Sequence, residues 1–592
     1  MPVTVADAIV ERLSSWGVDR IFGYAGDGID PLLAALHRAQ DRVEFVQPRH
    51  EEMAAFMATG HAKYTGRVGV CLSTQGPGAI HLLTGLYDAK LDGRPVVAIV
   101  GQIASTALGS GYLQEVDLHS LFKDACGQYI QTVLTPEQLP MLIDNAMRTA
   151  IAESTPVCLI VPHDVQRAEM PEQTPHSHGV VPSAAITGFP RVLPNEADLA
   201  RAAEVLGAGT RVALLVGRGA GGAQAEIEQL VDVLGAGVTV SLVGKPVLPE
   251  TTDWHTGVMG HLGTTASADL MEQCDTLFII GCNDPWTEFY PAPGQARAVQ
   301  IDIKARVIGG KYPIEVALVG DTGETLRALL PLLRRNTDRS WQEQVGRSVQ
   351  RWREIAAARA QHPAEPLNPE WVVHELSGHL PANARVAFDV GSIVYWYARH
   401  LVLPPGVPAH LSSYLASMGC AMPYGLAAKF DTPDRPVVAL AGDGAMQMNG
   451  LLELITVADR WRSWADPRFV VLVLHNGDLA EVSWEQREME GDPRFPASQR
   501  VPSFPYAGYA ELLGLQGIRV DSPDAVADAW QQAFAADRPV LIEAVVDPAV
   551  PLLPPHLQDE KVGMMRRGLE QEPDSEQASA QLDRQRQDEG PD

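Results

Sequence analysis

The stretch VVALAGDGAMQMNG (437–450) leads an apolar, strand-like run directly into a carboxylate, Asp443, that stands between two glycines. Glycine removes the side chains that would keep a ligand away from the backbone. The next apolar run, FVVLVLHNG (469–477), ends in Asn476. Carboxylate and amide oxygens bind hard cations such as Mg²⁺, and a cation held in this way can bind phosphate oxygens. The two strand ends predict a site for Mg²⁺ and a diphosphate, although Gly-Asp-Gly taken alone is more often a turn with an N-capping Asp.

Apolar runs of strand length alternate with helical patterns along nearly the whole chain. Continuous apolar strands between helices are typical of parallel sheets covered on both faces. These runs are 68–73, 94–102, 156–162, 211–217, 238–244, 276–281, 298–303, 384–391, 435–444, 469–477 and 538–546. We predict an α/β fold of three doubly wound parallel-sheet domains and a polar tail that we expect to be disordered. The predicted boundaries are 1–185, 190–345, 365–555 and, for the tail, 556–592.

Composition excludes several classes of protein. The formal net charge of −27 argues against nucleic acid or an anionic membrane as a partner, because both need clustered Lys and Arg. The six cysteines form no CxxC pair and indicate buried thiols in a reducing compartment. No signal peptide is visible, and the longest apolar runs are too short to span a bilayer. We expect a soluble cytoplasmic protein.

Two further segments complete a family pattern. These segments are RHEEMAAFMATGHAKYTG (49–66) and STQGPGAIHLLTGLYDA (73–89). Together with Gly-Asp-Gly and the strand-terminal Asn, they resemble the thiamine diphosphate-dependent family of pyruvate oxidases, quinone-dependent pyruvate dehydrogenases and acetolactate synthases. The resemblance implies that Glu51 faces N1′ of the cofactor's aminopyrimidine and stabilises its imino tautomer. Without the resemblance, Glu51 would be one more acidic residue favoured in the first turn of a helix. It also implies a pyrimidine-binding first domain, a middle domain and a diphosphate-binding third domain.

The same resemblance implies the residues around the diphosphate. Asp443, Asn476 and the backbone oxygen of Asp478 would hold Mg²⁺. Met418 would be the apolar wedge that bends the cofactor, although a lone Met is more often core. The remaining expected cofactor contacts are Val390, Gly391, Ser392, Ala416, Ser417, Gly442, Gly444 and Ala445. The chain departs from the family in two places, because His475-Asn476 replaces the usual Asn-Asn and 459–468 is longer than usual.

Substrate contacts are implied by two more segments. Gln114, in GYLQEVDLHSLF (111–122), lies in a loop similar to the family's FQE-type loop near the substrate. Val482 and Glu485, in the helix after Asn476, match family positions that line the pocket. Glu481 stands where the family's oxidases carry an aromatic residue, so a charge there would alter substrate choice or electron transfer.

The middle block contains a GxGxxG segment in RVALLVGRGAGGAQAEIEQLV (211–231). An NAD site would need an acidic residue closing the next strand, and VTVSLVGKP (238–246) has none. Over its full length the block resembles the middle domain of flavin-containing pyruvate oxidases, which implies FAD; the alternative is a vestigial block that binds no flavin. By position the flavin contacts would be Met259, Gly260, His261, Leu262, Cys282, Asn283, Asp284, Pro285, Trp286 and Asp302.

Taken together, the resemblance implies decarboxylation of a 2-oxo acid, with pyruvate as the expected substrate, and oxidation of the enamine through FAD to a quinone or other acceptor. The alternatives are an acetolactate synthase-type carboligase, a non-oxidative decarboxylase and a non-catalytic paralogue. Because Glu51 and Asp443 lie in different domains, family geometry implies that they meet across subunits, in a homodimer at least and a homotetramer as the expected assembly. The polar tail offers no amphipathic helix, so membrane activation is not expected.

Overall fold

The computed structural model of the protein describes residues 2–172, 185, 191–573 and 575–589. In this part of the chain the strands form three six-stranded sheets, and every pairing between neighbouring strands is parallel. Helices alternate with the strands along the chain. The predicted α/β fold with three parallel sheets is confirmed. The predicted boundary between the first and middle domains falls on 173–184 and 186–190, outside the described residues.

The first domain contains strands β1 to β6. They are Arg20–Gly23, Glu44–Val46, Gly69–Ser73, Val96–Gln102, Ile130–Thr132 and Pro156–Pro162. Helices α1 to α8 are Val5–Ser15, Asp30–Arg38, Glu51–Thr65, Pro77–His81, Leu83–Leu91, Leu118–Phe122, Leu139–Glu153 and His163–Arg167. The strand order is β2-β1-β3-β4-β6-β5. The chain changes direction along the sheet between β1 and β3, which is where doubly wound sheets open a ligand crevice.

The middle domain contains strands β7 to β12. They are Val212–Val216, Gly237–Val240, His255–Val258, Thr276–Ile280, Arg297–Asp302 and Val316–Val319. Helices α9 to α12 are Glu196–Ala208, Gln224–Leu234, Thr265–Gln273 and Thr322–Leu329. The order β12-β11-β10-β7-β8-β9 is that of dinucleotide-binding sheets, with the change of direction between β7 and β10. Helix α13, Ser340–Ala360, then leads to the third domain.

The third domain contains strands β13 to β18. They are Arg385–Phe388, Ala409–His410, Val437–Gly442, Phe469–His475, Gln516–Val520 and Val540–Val545. Helices α14 to α22 are Pro369–His379, Ile393–His400, Ala421–Asp431, Asp443–Ala445, Leu451–Arg460, Ala480–Glu490, Pro496–Gln499, Tyr506–Leu512 and Val526–Ala535. The order β14-β13-β15-β16-β18-β17 repeats that of the first sheet strand for strand. The two outer domains therefore share one topology, which the sequence alone did not show.

The described part of the tail differs from the expected disorder. Residues 559–569 and 576–589 form two helices, α23 (Asp559–Leu569) and α24 (Glu576–Glu589). An apolar stripe of Val562, Met565 and Leu569 is buried in α23. Their spacing puts these few apolar residues on one helix face, so low overall hydrophobicity did not prevent docking. Polar contacts add to it, since the Arg487 guanidinium donates to both carboxylate oxygens of Glu572 at 2.7 and 2.8 Å.

Two predictions from composition can be compared with the structure. The six cysteines are buried and unpaired, as the sequence indicated. Within the described ranges, none of the helices combines the length and the apolar character that crossing a bilayer requires.

Candidate active site

The predicted diphosphate residues converge at the carboxyl edge of the third sheet. Residues 390–392 follow β13, 442–445 close β15, and 476–478 follow β16. β15 is hydrogen-bonded to both β13 and β16. Because β13 and β15 flank the change of direction in this sheet, the three segments surround its ligand crevice.

Asp443 is a buried carboxylate that accepts hydrogen bonds from backbone amides. It is 2% exposed, and its two oxygens accept the N–H groups of Gly444 at 2.9 Å and Gly477 at 2.7 Å. Burial raises the pKa of Asp443 to about 6. A bound cation would favour the charged form and offset this burial.

The neighbouring donors suit the same cation. The Asn476 side-chain oxygen accepts the N–H of Asp478 at 2.9 Å, which fixes the orientation of the amide. The Asp478 carboxylate pairs with Arg494 at 2.8 Å, and the oxygen of Asp478 that the resemblance assigns to the ion is the main-chain one. One carboxylate, one amide and one main-chain oxygen make an all-oxygen set, which fits Mg²⁺.

The backbone beside these oxygen ligands has free space around it, which a ligand could occupy. Gly391 has φ +113°, and a Cβ added to Gly391 or to Gly442 would meet no atom within 4 Å. Ser392 is the N-cap residue that precedes α15. An uncovered backbone at a helix start is the environment that a diphosphate requires, because N–H groups there lack intrahelical partners.

One residue absent from the predictions holds two of the predicted segments together. The buried Asp389 carboxylate accepts the N–H groups of Val390 at 2.9 Å, Gly419 at 2.8 Å and Ala421 at 2.9 Å. It therefore ties the segment after β13 to the segment before α16. Desolvation raises the pKa of Asp389 to about 6, against these hydrogen bonds. The signal in the sequence was an Asp directly after an apolar strand and two residues before a glycine, which marks the position but not its role.

The predicted strip 416–418 lies against the same crevice. Ala416 has φ +53°, in the left-handed region that L residues rarely adopt. The Met418 methyl group is 3.2 Å from the position that a Cβ on Gly444 would take, so Met418 contacts the Gly-Asp-Gly turn. The N–H of Ser417 donates to the Ser412 hydroxyl at 3.1 Å.

Glu51 and Gln114 lie at the corresponding edge of the first sheet. Glu51 begins α3, and its carboxylate is 3.0 Å from Nδ1 of His81. The Gln114 side chain accepts from Gln75 at 2.9 Å, in the turn that follows β3. His81 is absent from the predicted residues, although it lies in the quoted GPGAIH segment.

The loop that precedes Glu51 is fixed by the third domain of the same chain. The N–H of Arg49 donates to the Glu453 carboxylate at 2.9 Å. Glu453 is fully buried, and desolvation raises its pKa to about 7.

Helix α19 carries the predicted substrate residues on its outer side. Val482 is 49% exposed and Glu485 is also exposed. Burial and the neighbouring Glu485 carboxyl raise the pKa of Glu481 to about 7. One turn further on, the buried Glu488 carboxylate is 3.7 Å from His261 of the middle domain.

The predicted flavin residues lie at the carboxyl ends of three strands: 259–262 follow β9, 282–286 follow β10, and Asp302 closes β11. The loops after β7 and β10 touch, since the N–H of Gly219 donates to the Gly281 carbonyl at 2.9 Å. The imidazole of His261 stacks on the indole of Trp286, with ring centroids 5.7 Å apart. Asp302 closes β11 as a partly buried carboxylate, the type of group that accepts ribose hydroxyls. This donor set at the change of direction fits a dinucleotide such as FAD.

Several other predicted flavin residues are held by neighbouring groups. The main-chain oxygens of His261, Leu262 and Gly263 accept from the Arg399 guanidinium of the third domain at 3.2, 3.2 and 2.9 Å. The buried Asp284 accepts the N–H of Trp286 at 3.1 Å, and desolvation raises the pKa of Asp284 to about 6. Met259 and Cys282 are buried in one apolar cluster.

Comparison with known proteins defines the class. Residues 3–121 match the model of the thiamine pyrophosphate enzyme N-terminal TPP binding domain, 199–329 that of the central domain, and 389–544 that of the C-terminal TPP binding domain. The three matches fall on the three sheets. The chain belongs to the family of thiamine pyrophosphate-dependent enzymes, as the sequence motifs indicated.

Relatives within the family carry different names. The chain is 32% identical to a putative thiamine pyrophosphate-containing protein, YdaP, of Bacillus subtilis, over 93% of this chain and 92% of the relative. It is 28% identical to a pyruvate oxidase of Lactiplantibacillus plantarum, over 92% of this chain and 89% of the relative. It is 31% identical to an acetolactate synthase large subunit of Corynebacterium glutamicum, over 92% of this chain and 87% of the relative.

Proposed function

We propose that the protein uses thiamine diphosphate and Mg²⁺ to decarboxylate a 2-oxo acid, with pyruvate as the expected substrate, and passes the electrons through FAD to an acceptor. The observation that carries the proposal is the buried Asp443 carboxylate beside the Asn476 amide, next to the open backbone of Gly391 and Gly442. Burying a carboxylate costs free energy, and a bound Mg²⁺ would offset that cost.

The residues have separate roles in this proposal. Asp443, Asn476 and the main-chain oxygen of Asp478 would hold Mg²⁺, and the amides around Gly391 and Gly444 would hold the diphosphate. When bound, thiamine diphosphate supplies the nucleophile for the substrate carbonyl and accepts the electrons left by CO₂. Glu51 would hold a proton at N1′ of the aminopyrimidine, as a positioned general acid or base.

Oxidation through FAD is the favoured outcome because the middle domain presents a dinucleotide-type sheet with Asp302 at its ligand edge. The Glu488–His261 contact also joins the helix carrying Val482 to the flavin residues. A carboligase of the acetolactate synthase type is the second candidate, favoured by the 31% identity to such an enzyme. Glu481, in place of an aromatic residue, is the position where this chain would differ from an oxidase.

A dimer is required if Glu51 of one chain acts on the cofactor held by another. Exposed apolar side chains near Glu51 and near Asp443 support this arrangement. Ile80 and Leu113 are exposed in the first domain, and Met448 and Leu452 are exposed just after the Gly-Asp-Gly turn. Contact between two chains would cover them. We expect analytical ultracentrifugation to show a dimer or tetramer, and an active monomer would contradict the proposal.

Two measurements test the proposed reaction. The purified protein should show flavin absorbance in the visible range. With pyruvate it should form an oxidised acetyl product only when a quinone or dye acceptor is present. Acetolactate as the product, without need for an acceptor, would instead establish the carboligase.

A further inference from the structure

The segment 411–418, which ends in the predicted strip 416–418, is held by the first domain of the same chain. The carboxylate of Asp92, at the end of α5, accepts the N–H groups of Ser413 at 3.2 Å and Tyr414 at 3.0 Å. It also accepts the Ser413 hydroxyl at 2.5 Å. The buried ammonium of Lys63 donates to Asp92 and to the main-chain oxygen of Leu411, both at 2.6 Å. Asp92 is itself buried, so these contacts form away from water.

The far end of this segment carries a strained residue. Ala416 has φ +53°, a left-handed conformation that is about five- to thirtyfold disfavoured for an L residue. Such conformations persist only where surrounding contacts impose them, and they concentrate at binding sites. Between the two ends, the Ser412 hydroxyl accepts the N–H of Ser417, and the N–H of Ser412 lies 3.3 Å from the Cys420 sulfur. These hydrogen bonds connect residues 411–414, which Asp92 and Lys63 hold, to residues 416–418.

We propose that Asp92 is a positioning residue for the predicted strip 416–418: it sets the conformation of these residues without touching the cofactor. The inference rests on the proposed function, because it takes that strip to contact thiamine diphosphate. In the proposed dimer each first domain would then serve two sites. Its Glu51 would act on the cofactor of the partner, while its Asp92 would shape the site of its own chain.

The test measures the binding of thiamine diphosphate, with saturating Mg²⁺, by calorimetry on the full chain. Asp92→Asn keeps the size of the side chain but places an amide NH₂ against donors that now face a carboxylate. We expect it to weaken binding by about tenfold or more, as for loss of a charged hydrogen bond. Ser413→Ala removes only the hydroxyl contact to Asp92 and is expected to weaken binding by about three- to tenfold. It provides the test if Asp92→Asn folds poorly.

The matched control is Tyr424→Phe. Tyr424 belongs to the same buried cluster, and its hydroxyl bonds Lys63 at 2.5 Å and also Asp88. This variant should lower the thermal unfolding midpoint but leave cofactor affinity within about twofold of the wild type. A loss of affinity equal to that of Asp92→Asn would show that the whole cluster acts only on stability, and would overturn the proposal.

A rescue experiment separates positioning from general damage. Glycine adopts positive φ without the penalty of alanine. Adding Ala416→Gly to Asp92→Asn should therefore recover about fivefold or more of the lost affinity. A double variant that binds no better than Asp92→Asn would refute the transmission of strain. Wild-type affinity in Asp92→Asn would overturn only the role of Asp92, whereas failure of the wild type to bind the cofactor would overturn the proposed function itself.

Discussion

Asp389→Asn tests whether one buried carboxylate assembles the crevice of the third domain. One oxygen of Asp389 accepts two backbone N–H groups, from Val390 and Gly419, and the other accepts the N–H of Ala421. An asparagine keeps at most the two bonds of the first oxygen. Its NH₂ group then faces the N–H of Ala421, which is left buried without an acceptor. An unpaired buried donor costs about 1–3 kcal/mol, or about 5- to 150-fold in an equilibrium constant.

The cost should appear in cofactor affinity, because the two segments must be held together when the diphosphate binds. We expect calorimetry with saturating Mg²⁺ to show thiamine diphosphate binding weakened within that range. Amide hydrogen exchange should become faster in residues 389–392 and 418–421. If the two segments are already ordered without cofactor, part of the free-energy cost destabilises the folded protein instead of weakening binding. The loss of affinity then lies toward the lower end of the roughly 5- to 150-fold range.

Asp466→Asn is the control. Asp466 is also buried and accepts one backbone N–H, from Arg468 at 2.9 Å, but it precedes β16 at the opposite edge of the sheet. It should leave cofactor affinity unchanged. Affinity of Asp389→Asn within about twofold of the wild type, with unchanged exchange in both segments, would refute the reasoning.

Three further changes have defined outcomes. Glu51→Gln should bind the cofactor with little change but lower turnover by about 10²- to 10⁴-fold, the usual contribution of a general acid or base; full activity would remove Glu51 from the mechanism. The pKa of Glu453 is raised from 4.5 to about 7, so the stability it contributes is full below about pH 4.5 and is lost as the pH rises toward 7. Between about pH 4.5 and 7 the thermal midpoint of Glu453→Gln should fall less than that of the wild type. Equal falls of the two midpoints with pH would contradict this role of Glu453. Ending the chain after Pro555 removes α23, which packs against α19, together with α24, so the midpoint should fall and exchange in α19 should rise; unchanged exchange there would show that the tail does not support α19.

The interior of each sheet could be predicted from the sequence, but its edges could not. Central strands are covered by helices on both faces and read as continuous apolar runs. The eleven apolar runs include none of the six edge strands, which are β2, β5, β9, β12, β14 and β17, and they do not include the short β1. Several have mixed exposure, such as Gln516–Val520, where only Val520 is fully buried. An edge strand is paired on one side only and needs no apolar run, so no pattern marks it.

The candidate site divides in a similar way. Residues adjacent in sequence to a recognisable turn, such as Asp443 and Gly391, could be predicted, because the turn itself shows where a ligand approaches. Asp389 and Asp92 could not be assigned roles, since each acts on segments distant in sequence. Asp92 reaches Ser413 across more than three hundred residues, and only the folded chain shows that contact.

The central claim is that an Asp443-held magnesium ion anchors thiamine diphosphate. Calorimetry should show uptake of the cofactor by the wild type with Mg²⁺ and little uptake with a chelator. Asp443→Asn should weaken that uptake by more than the roughly 10- to 100-fold typical of losing an outer-shell metal partner. Binding that needs no divalent ion, or equal binding by Asp443→Asn, would contradict the account.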